Sequence, residues 1–220
     1  MENILQGIVI NKIDYQDNDE VITILTLNGP LSFIARGTRK IESKNRVALQ
    51  LLNMVECEMF LARVKNKVSK LKKAVLIKQY NFLKADFDVT NILLKIANII
   101  KHNSYDFVKN IFLIVDKFGW GNDYSLLAYL LFSSLECFGI KPYMKGCVEC
   151  KAQTKLIEFN FYKGGFLCID HADATMDIKY LETIFLLSQS IDMYEQKASL
   201  KYSRKIVKEL VELIKESNYI

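Results

Sequence analysis

The chain has 220 residues, half of them hydrophobic and a quarter charged, with a formal net charge of +5. That composition provides a core for one large domain or two modest ones and excludes a disordered chain. The longest apolar run, Leu126 to Phe132, is far short of the roughly 18 residues of a membrane span, and Met1 to Gly7 lacks the basic segment of a secretory leader, so a soluble cytoplasmic protein is expected.

The first eighty residues read as strands. Gly7 to Ile13 and Glu20 to Leu27 are rich in β-branched residues, and Tyr15 to Asp19 between them has the Asx content of a turn. Asn28-Gly29-Pro30 is a second turn, tight enough for a hairpin, and Leu31 to Ala35 is the third strand. Leu51 to Leu61 is the fourth, with Leu51, Val55, Cys57, Met59 and Leu61 on one face. Lys70 to Tyr80 is the fifth, in which Leu71, Lys73, Val75 and Ile77 alternate against Lys72, Ala74, Leu76 and Lys78. Five short strands with hairpin turns and one longer loop predict a small barrel of the oligonucleotide-binding type over residues 1–80.

After Tyr80 the period changes to that of helices. Val89 to Ile100, Phe107 to Phe118 and Leu126 to Leu135 each carry one apolar face, and Asn122 or Asp123 can cap the third. Two more helices are predicted, at about 177–194 and 199–216. The fold class is therefore α+β. A five-stranded barrel is followed by a helical bundle over 81–220, with a small metal-binding insertion at about 143–175.

The insertion carries the most specific motif. Cys147-Val-Glu-Cys150 is followed by Cys168-Ile-Asp-His171, and two residues between ligands let both side chains turn onto one ion. The stretch between reads as a hairpin, Leu156 to Tyr162 and Phe166 to Cys168 about Lys163-Gly164-Gly165, which brings the two pairs together. Cys147, Cys150, Cys168 and His171 are thus candidate ligands of one structural zinc per chain, closed to water and so not catalytic. Cys57 and Cys137 lie on apolar faces and read as core thiols.

Charge carries the second signal. Residues 1–80 hold thirteen Lys/Arg and eight Asp/Glu, whereas residues 81–220 hold seventeen of each, so the whole excess lies in the barrel. Arg36, Arg39, Lys40, Lys44 and Arg46 cluster in a loop leaving the third strand, and Arg63, Lys65, Lys67, Lys70, Lys72 and Lys73 form a second group with no acid from 59 to 80. Cations on loops rimming a small barrel can track phosphates without reading sequence, and Tyr15 can stack a base, while Phe33 reads as core. Lys65, Lys67, Lys70, Lys72 and Lys73 are taken as the second group's candidate DNA contacts. A basic stripe at Lys201, Arg204, Lys205 and Lys208 is read as a solvated helix face, because Glu209, Glu212 and Glu216 follow. No phosphate-cradling glycine loop and no nucleophile–base arrangement is found, so no enzymatic activity is expected.

The order of these parts resembles the RecO family of bacterial DNA repair proteins. The resemblance rests on Gly7-Ile-Val-Ile with Asp14-Tyr15 and Asp19-Glu20, on Leu31-Ser-Phe-Ile-Ala-Arg36-Gly37 with its basic tail, and on Ala48-Leu49-Gln50. It continues in Cys147-x-x-Cys150, Gly164-Gly165-Phe166 and Cys168-x-x-His171. Membership would imply binding of single-stranded DNA, and of duplex DNA also, annealing of complementary strands, and help in loading recombinase onto DNA coated with single-strand-binding protein. It would also imply action with a RecR-like partner, often with RecF, in the cytoplasm at the nucleoid. Four cysteines are common at the family's metal; histidine as the last ligand also suits zinc. Some relatives lack the ligands, in keeping with a structural role. A rival reading is a protein-interaction scaffold that does not bind DNA directly; a third, a zinc-dependent nucleic-acid enzyme, lacks the acidic cluster it would need.

Overall fold

A computed structural model of the chain describes residues 2–62, 68–101 and 105–217. Contacts divide the chain into two compact units, Met1–Gly121 and Asn122–Ile220. The change of period after Tyr80 falls within the first unit.

The first unit is built on five strands: β1 (Glu2–Tyr15), β2 (Asp19–Thr26), β3 (Gly29–Ala35), β4 (Met54–Phe60) and β5 (Ser69–Lys78). They close into a barrel in the order β1-β2-β3-β5-β4, with β3 parallel to β5 and every other pair antiparallel. This is the oligonucleotide-binding topology expected. β1 closes the barrel by pairing with β4 through Glu2–Ile8 and with β2 through Ile8–Tyr15. The strand must bend where it changes partner. Gly7 sits at that bend, where a Cβ would stand 2.9 Å from the Leu25 carbonyl oxygen. Ile10 is the extra residue of a bulge just beyond it, between the register pairs of Val9 and Asn11.

The barrel is filled by Val9, Ile22, Ile24, Phe33, Ala35, Val55, Cys57, Met59 and Ala74, with Ala48 and Leu49 entering from the β3–β4 connection. Burial pushes the Cys57 thiol up to about 12, with the charge of Glu56 adding to it, as suits a core thiol. Asn53 holds that connection in place. Its side chain donates to the Val47 and Ala48 carbonyls and accepts from the Tyr80 N–H. Its backbone carbonyl accepts from Val9, and the neighbouring Leu52 N–H donates back to Val9.

β5 departs from the predicted alternation. Lys72 is the extra residue of a bulge between Glu58↔Lys73 and Met59↔Leu71, and Ile77 of a second near the strand's end. The first bulge shifts the phase, so Leu71, Ala74 and Leu76 pack on the core while Lys73 and Val75 face outward.

Two helices, α1 (Phe87–Ile99) and α2 (Tyr105–Ile114), pack on the outside of the barrel against β1 and β2. Asp86 caps α1 by accepting from Asp88 and Val89, and the Asn98 side chain donates to the Ile10 carbonyl at 2.8 Å.

The second unit holds α3 (Asp123–Ser134), a small sheet of β6 (Tyr143–Cys147), β7 (Leu156–Asn160) and β8 (Gly165–Cys168), then α4 (Ile178–Leu186), α5 (Ile191–Lys197) and α6 (Leu200–Glu216). The single helix predicted over 177–194 is two, because the Ser190 hydroxyl accepts from Met193 and starts α5. Asn122 is the N-cap of α3 but makes no side-chain cap; its amide donates to Glu195 instead. α3 packs on α5 and α6, with Ser125, Ser203 and Tyr194 joined by buried hydroxyl hydrogen bonds. Among the described residues no helix is long and apolar enough to cross a membrane.

Asn53→Ala removes three side-chain hydrogen bonds from the base of the barrel and is expected to cost roughly 1–3 kcal/mol, because buried backbone groups lose partners. A urea midpoint for the barrel unchanged from the parent chain would show that the β3–β4 connection does not depend on Asn53.

Candidate metal centre and basic barrel surface

The metal-ligand motif folds as two knuckles on a three-stranded sheet of order β6-β8-β7. β7 and β8 form the predicted hairpin, with the Asn160 side chain accepting from Tyr162 and Lys163 to shape its turn. β6, which pairs parallel with β8, was not predicted. The first knuckle closes tightly: the Lys151 N–H donates to the Cys147 carbonyl and the Cys147 N–H to Ala152. Gly146 is required there, since a Cβ would meet the Ala152 carbonyl oxygen at 2.7 Å. In the second knuckle the His171 and Ala172 N–H groups donate to the Cys168 carbonyl.

These turns gather the four predicted ligands. Cys147, Cys150, Cys168 and His171 place their ligand atoms within 4.8 Å of one another. Cys150 Sγ lies 3.7 Å from Cys168 Sγ, and His171 Nδ1 lies 3.8 Å from Cys147 Sγ and 3.2 Å from Cys168 Sγ. Zinc–sulfur bonds of about 2.3 Å on a tetrahedron set sulfur atoms about 3.8 Å apart, and sulfur to nitrogen about 3.6 Å. The donor set therefore fits a tetrahedral ion, and the sulfur separation is that of thiols and not of a disulfide. Burial alone would raise the Cys147 thiol, but the backbone N–H groups of Cys150, Cys168 and Glu149 turned on it bring it down to about 6. Cys168 moves up, through burial first and then its sulfur neighbours. The cluster can hold one metal ion through all four side chains.

The basic loop of the barrel is ordered by its backbone. The Gly37 N–H donates to Asp19 at 2.8 Å, the Arg39 N–H donates to the Asn18 carbonyl, and Asn45 accepts from the Ala74 N–H of β5. Gly37 takes a φ of +65°, which its lack of a Cβ permits. The loop is thus tied to the β1–β2 turn at one end and to β5 at the other, and its cations point outward. Arg36, Arg39, Lys40, Lys44 and Arg46 are all exposed. Arg39 pairs with Asp14 at 3.3 Å and donates to the Gln16 carbonyl. The other four form no ion pair among the described residues.

Of the second cluster, only Lys70, Lys72 and Lys73 can be placed. Arg63, Lys65 and Lys67 lie outside the described residues. Lys72 pairs with Glu58 at 2.7 Å, and Lys73 stands opposite the same residue in the ladder. Lys70 stands beside Ile34 of β3, the strand that runs into the basic loop. Tyr15 is 41% exposed at the end of β1, whereas Phe33 is fully buried in the core.

Sequence reasoning missed a polar recess at the mouth of the barrel. It has a volume of about 250 Å³ and is lined by Lys12, Asp14, Glu20, Thr38, Arg39, Arg46 and Gln50. Lys12 and Glu20 form an ion pair at 3.3 Å with Glu20 almost wholly buried. Only the register of β1 against β2, which sets Lys12 near Glu20, would have joined them. A larger, mostly apolar groove of about 1,090 Å³ in the second unit is lined by Phe166, Ile178, Leu181 and Phe185 among others.

Comparison with known proteins matches these parts. The family description "Recombination protein O N terminal" covers residues 1–80, the five strands of the barrel. A "DNA repair protein RecO" of Mycoplasma mycoides subsp. mycoides is 34% identical over 167 residues, 71% of this chain and 66% of that protein. Proteins of the same name from Mycoplasma capricolum and Mesoplasma florum are 35% and 26% identical over 53% and 92% of this chain. The matches span 66% and 51% of the length of the two Mycoplasma proteins and 80% of the Mesoplasma one. A closed five-stranded barrel of the matched family, the helices after it, and relatives of one name over most of the chain lead to one conclusion: this chain belongs to the RecO family.

Proposed function

We propose that the chain is a DNA repair and recombination mediator that binds single-stranded DNA on the loop side of its barrel, anneals complementary strands and assists recombinase loading. The observation that carries this reading is the set of four exposed cations without an ion pair among the described residues, Arg36, Lys40, Lys44 and Arg46, on a loop tied down through the Asp19 and Asn45 side chains. Cations already matched to carboxylates gain little from a phosphate; unpaired ones release counterions from DNA on binding. Lys70 and Tyr15 extend this surface. Arg39 contributes after exchanging Asp14 for phosphate, Lys72 after leaving Glu58, and Lys73 beside it. Lys65 and Lys67 complete the predicted set. Duplex DNA shares the phosphate chemistry and is a further ligand. A RecR-like protein and single-strand-binding protein are partners by family resemblance, and the site of action is the cytoplasm at the nucleoid.

The ion at Cys147, Cys150, Cys168 and His171 is proposed to be a structural zinc. Thiolate-rich donors favour zinc over magnesium or calcium, and a sheet with so small a core gains its stability from the metal. The chain is not proposed to be an enzyme. The rival scaffold reading draws support from the apolar groove beside Ile178 and Phe185, which offers a protein partner a surface without phosphate chemistry.

Reversing Lys40 and Lys44 to Glu is expected to weaken binding of a mixed-sequence oligonucleotide at all sequences alike. It should also reduce the slope of log affinity against log salt by about 0.7 for each phosphate no longer neutralised. Exposed loop cations contribute little to stability, so the melting midpoint should stay near that of the parent. Fluorescence anisotropy across a salt series reads affinity and slope together; no change in either would favour the scaffold.

Elemental analysis of the purified chain should find one zinc per molecule. Cys150→Ser should lose the ion and lower the melting midpoint, whereas Cys57→Ser should keep it. A metal-free parent chain as stable as the metal-loaded one would rule out a structural ion.

A further inference from the structure

The stripe on α6 looks neutralised in sequence, because three glutamates follow it. Helical phasing sets two of those glutamates off the stripe. At about 100° per residue, Arg204, Lys208 and Lys215 fall within about 60° on one side of Lys201, while Glu212, Glu216 and Glu209 fall within about 80° on the other. One edge of the helix is basic along its length; Glu209 and Glu216 lie off it, and Glu212 borders it about 20° from Lys201.

Glu209 and Glu216 are also engaged elsewhere. Glu209 accepts a hydrogen bond from the Tyr180 hydroxyl and pairs with Lys205 at 3.7 Å. Glu216 is hydrogen-bonded by the Tyr162 hydroxyl, close to Glu212. Asp177 accepts from the Tyr202 hydroxyl while capping α4. By contrast Lys201, Arg204, Lys208 and Lys215 are exposed and form no ion pair among the described residues. Two of them lie by aromatic rings: the Arg204 guanidinium is 4.9 Å from the Tyr124 ring centre and Lys201 Nζ is 5.5 Å from that of Tyr202.

We propose that Lys201, Arg204, Lys208 and Lys215 form a second binding surface for single-stranded nucleic acid, distinct from the loop of the barrel. From Lys201 to Lys215 the edge runs about 21 Å at 1.5 Å per residue, the reach of several nucleotides. Unpaired cations interleaved with half-exposed tyrosines are the elements of single-strand recognition: charge for the phosphates and rings for the bases. A bilayer is disfavoured as the partner, because the apolar face of α6, Ile206, Val207, Leu210 and Ile214, is buried in the protein. Two surfaces of like chemistry let one chain hold two strands at once, which is what annealing needs. The inference rests on the proposed function only for the identity of the polymer.

The test uses the full chain, Lys201→Glu with Lys208→Glu, and in parallel Lys40→Glu with Lys44→Glu. The α6 variant is expected to bind a first labelled oligonucleotide within about twofold of the parent but to anneal complementary strands roughly tenfold more slowly. Photo-crosslinking from iodouracil-substituted DNA should reach the peptides of Tyr124 and Tyr202 in the parent and be abolished in the variant. If the α6 substitutions lower the melting midpoint, the corresponding Gln variants, which only remove charge, are read instead. Annealing at the parent rate, with no crosslink on either peptide, overturns the proposal. So does loss of retention on phosphatidylglycerol vesicles with annealing unchanged, which assigns the edge to a membrane. Unchanged first-strand binding by the loop variant counts against the barrel surface alone, so the two readings fail separately.

Discussion

Everything in the first unit depends on β1 serving two neighbours. One strand pairs with β4 through its first half and with β2 through its second, and this shared strand lets five short strands close without an edge. The bend at Gly7 and the bulge at Ile10 make that change of partner possible. Closure leaves the end of β3 and the start of β4 to be joined across the base of the barrel. The chain makes the join by dropping Ala48 and Leu49 into the core and tying Asn53 to its surroundings. Within residues 36–46 Thr38 is buried, while the cations stand in solvent. The basic surface is therefore a consequence of how the barrel closes and not a separate device.

The sheet of the second unit solves a different problem. Around the ligands its core cluster is only Cys147, Leu167 and Cys168 with a few partly buried neighbours, while Phe159 and Phe166 meet edge to face elsewhere on the sheet. Four candidate ligands at knuckle turns would add a cross-link there if the proposed ion is bound. Glu158 helps to set the second knuckle by accepting from the N–H groups of Asp173 and Ala174. If the proposed zinc is held there, barrel and sheet draw on different forces, apolar burial in one and coordination in the other, and they should respond differently to chelators and to core truncations.

What could be read from the sequence was what is local. Cys147 to Cys150 and Cys168 to His171 are each within four residues, so their convergence needed only one hairpin to be recognised. The barrel strands were legible because β-branched runs alternate with Asx and glycine turns. What failed depended on distant partners. The bulge at Lys72 is set by its pairing with β4 and inverts the facing of Val75 and Ile77, which no alternation pattern reveals. β6 escaped because Tyr143 to Cys147 is too short and mixed to announce a strand without β8 beside it. The break between α4 and α5 turns on a single serine cap. At the basic surface the cations were found, but Glu58 and Asp14, which neutralise some of them, lie far away in sequence.

The central claim is that a loop held rigidly at both ends presents unpaired cations to a single strand of DNA. Amide hydrogen exchange of the full chain, with and without a mixed-sequence oligonucleotide, tests it most directly. The account predicts new protection at residues 36–46 and at the β1–β2 turn, with the outer face of β4 around Glu56 and Glu58 unchanged. Protection confined to β4 and β5, or no protection anywhere in the barrel while the oligonucleotide is bound, would contradict it.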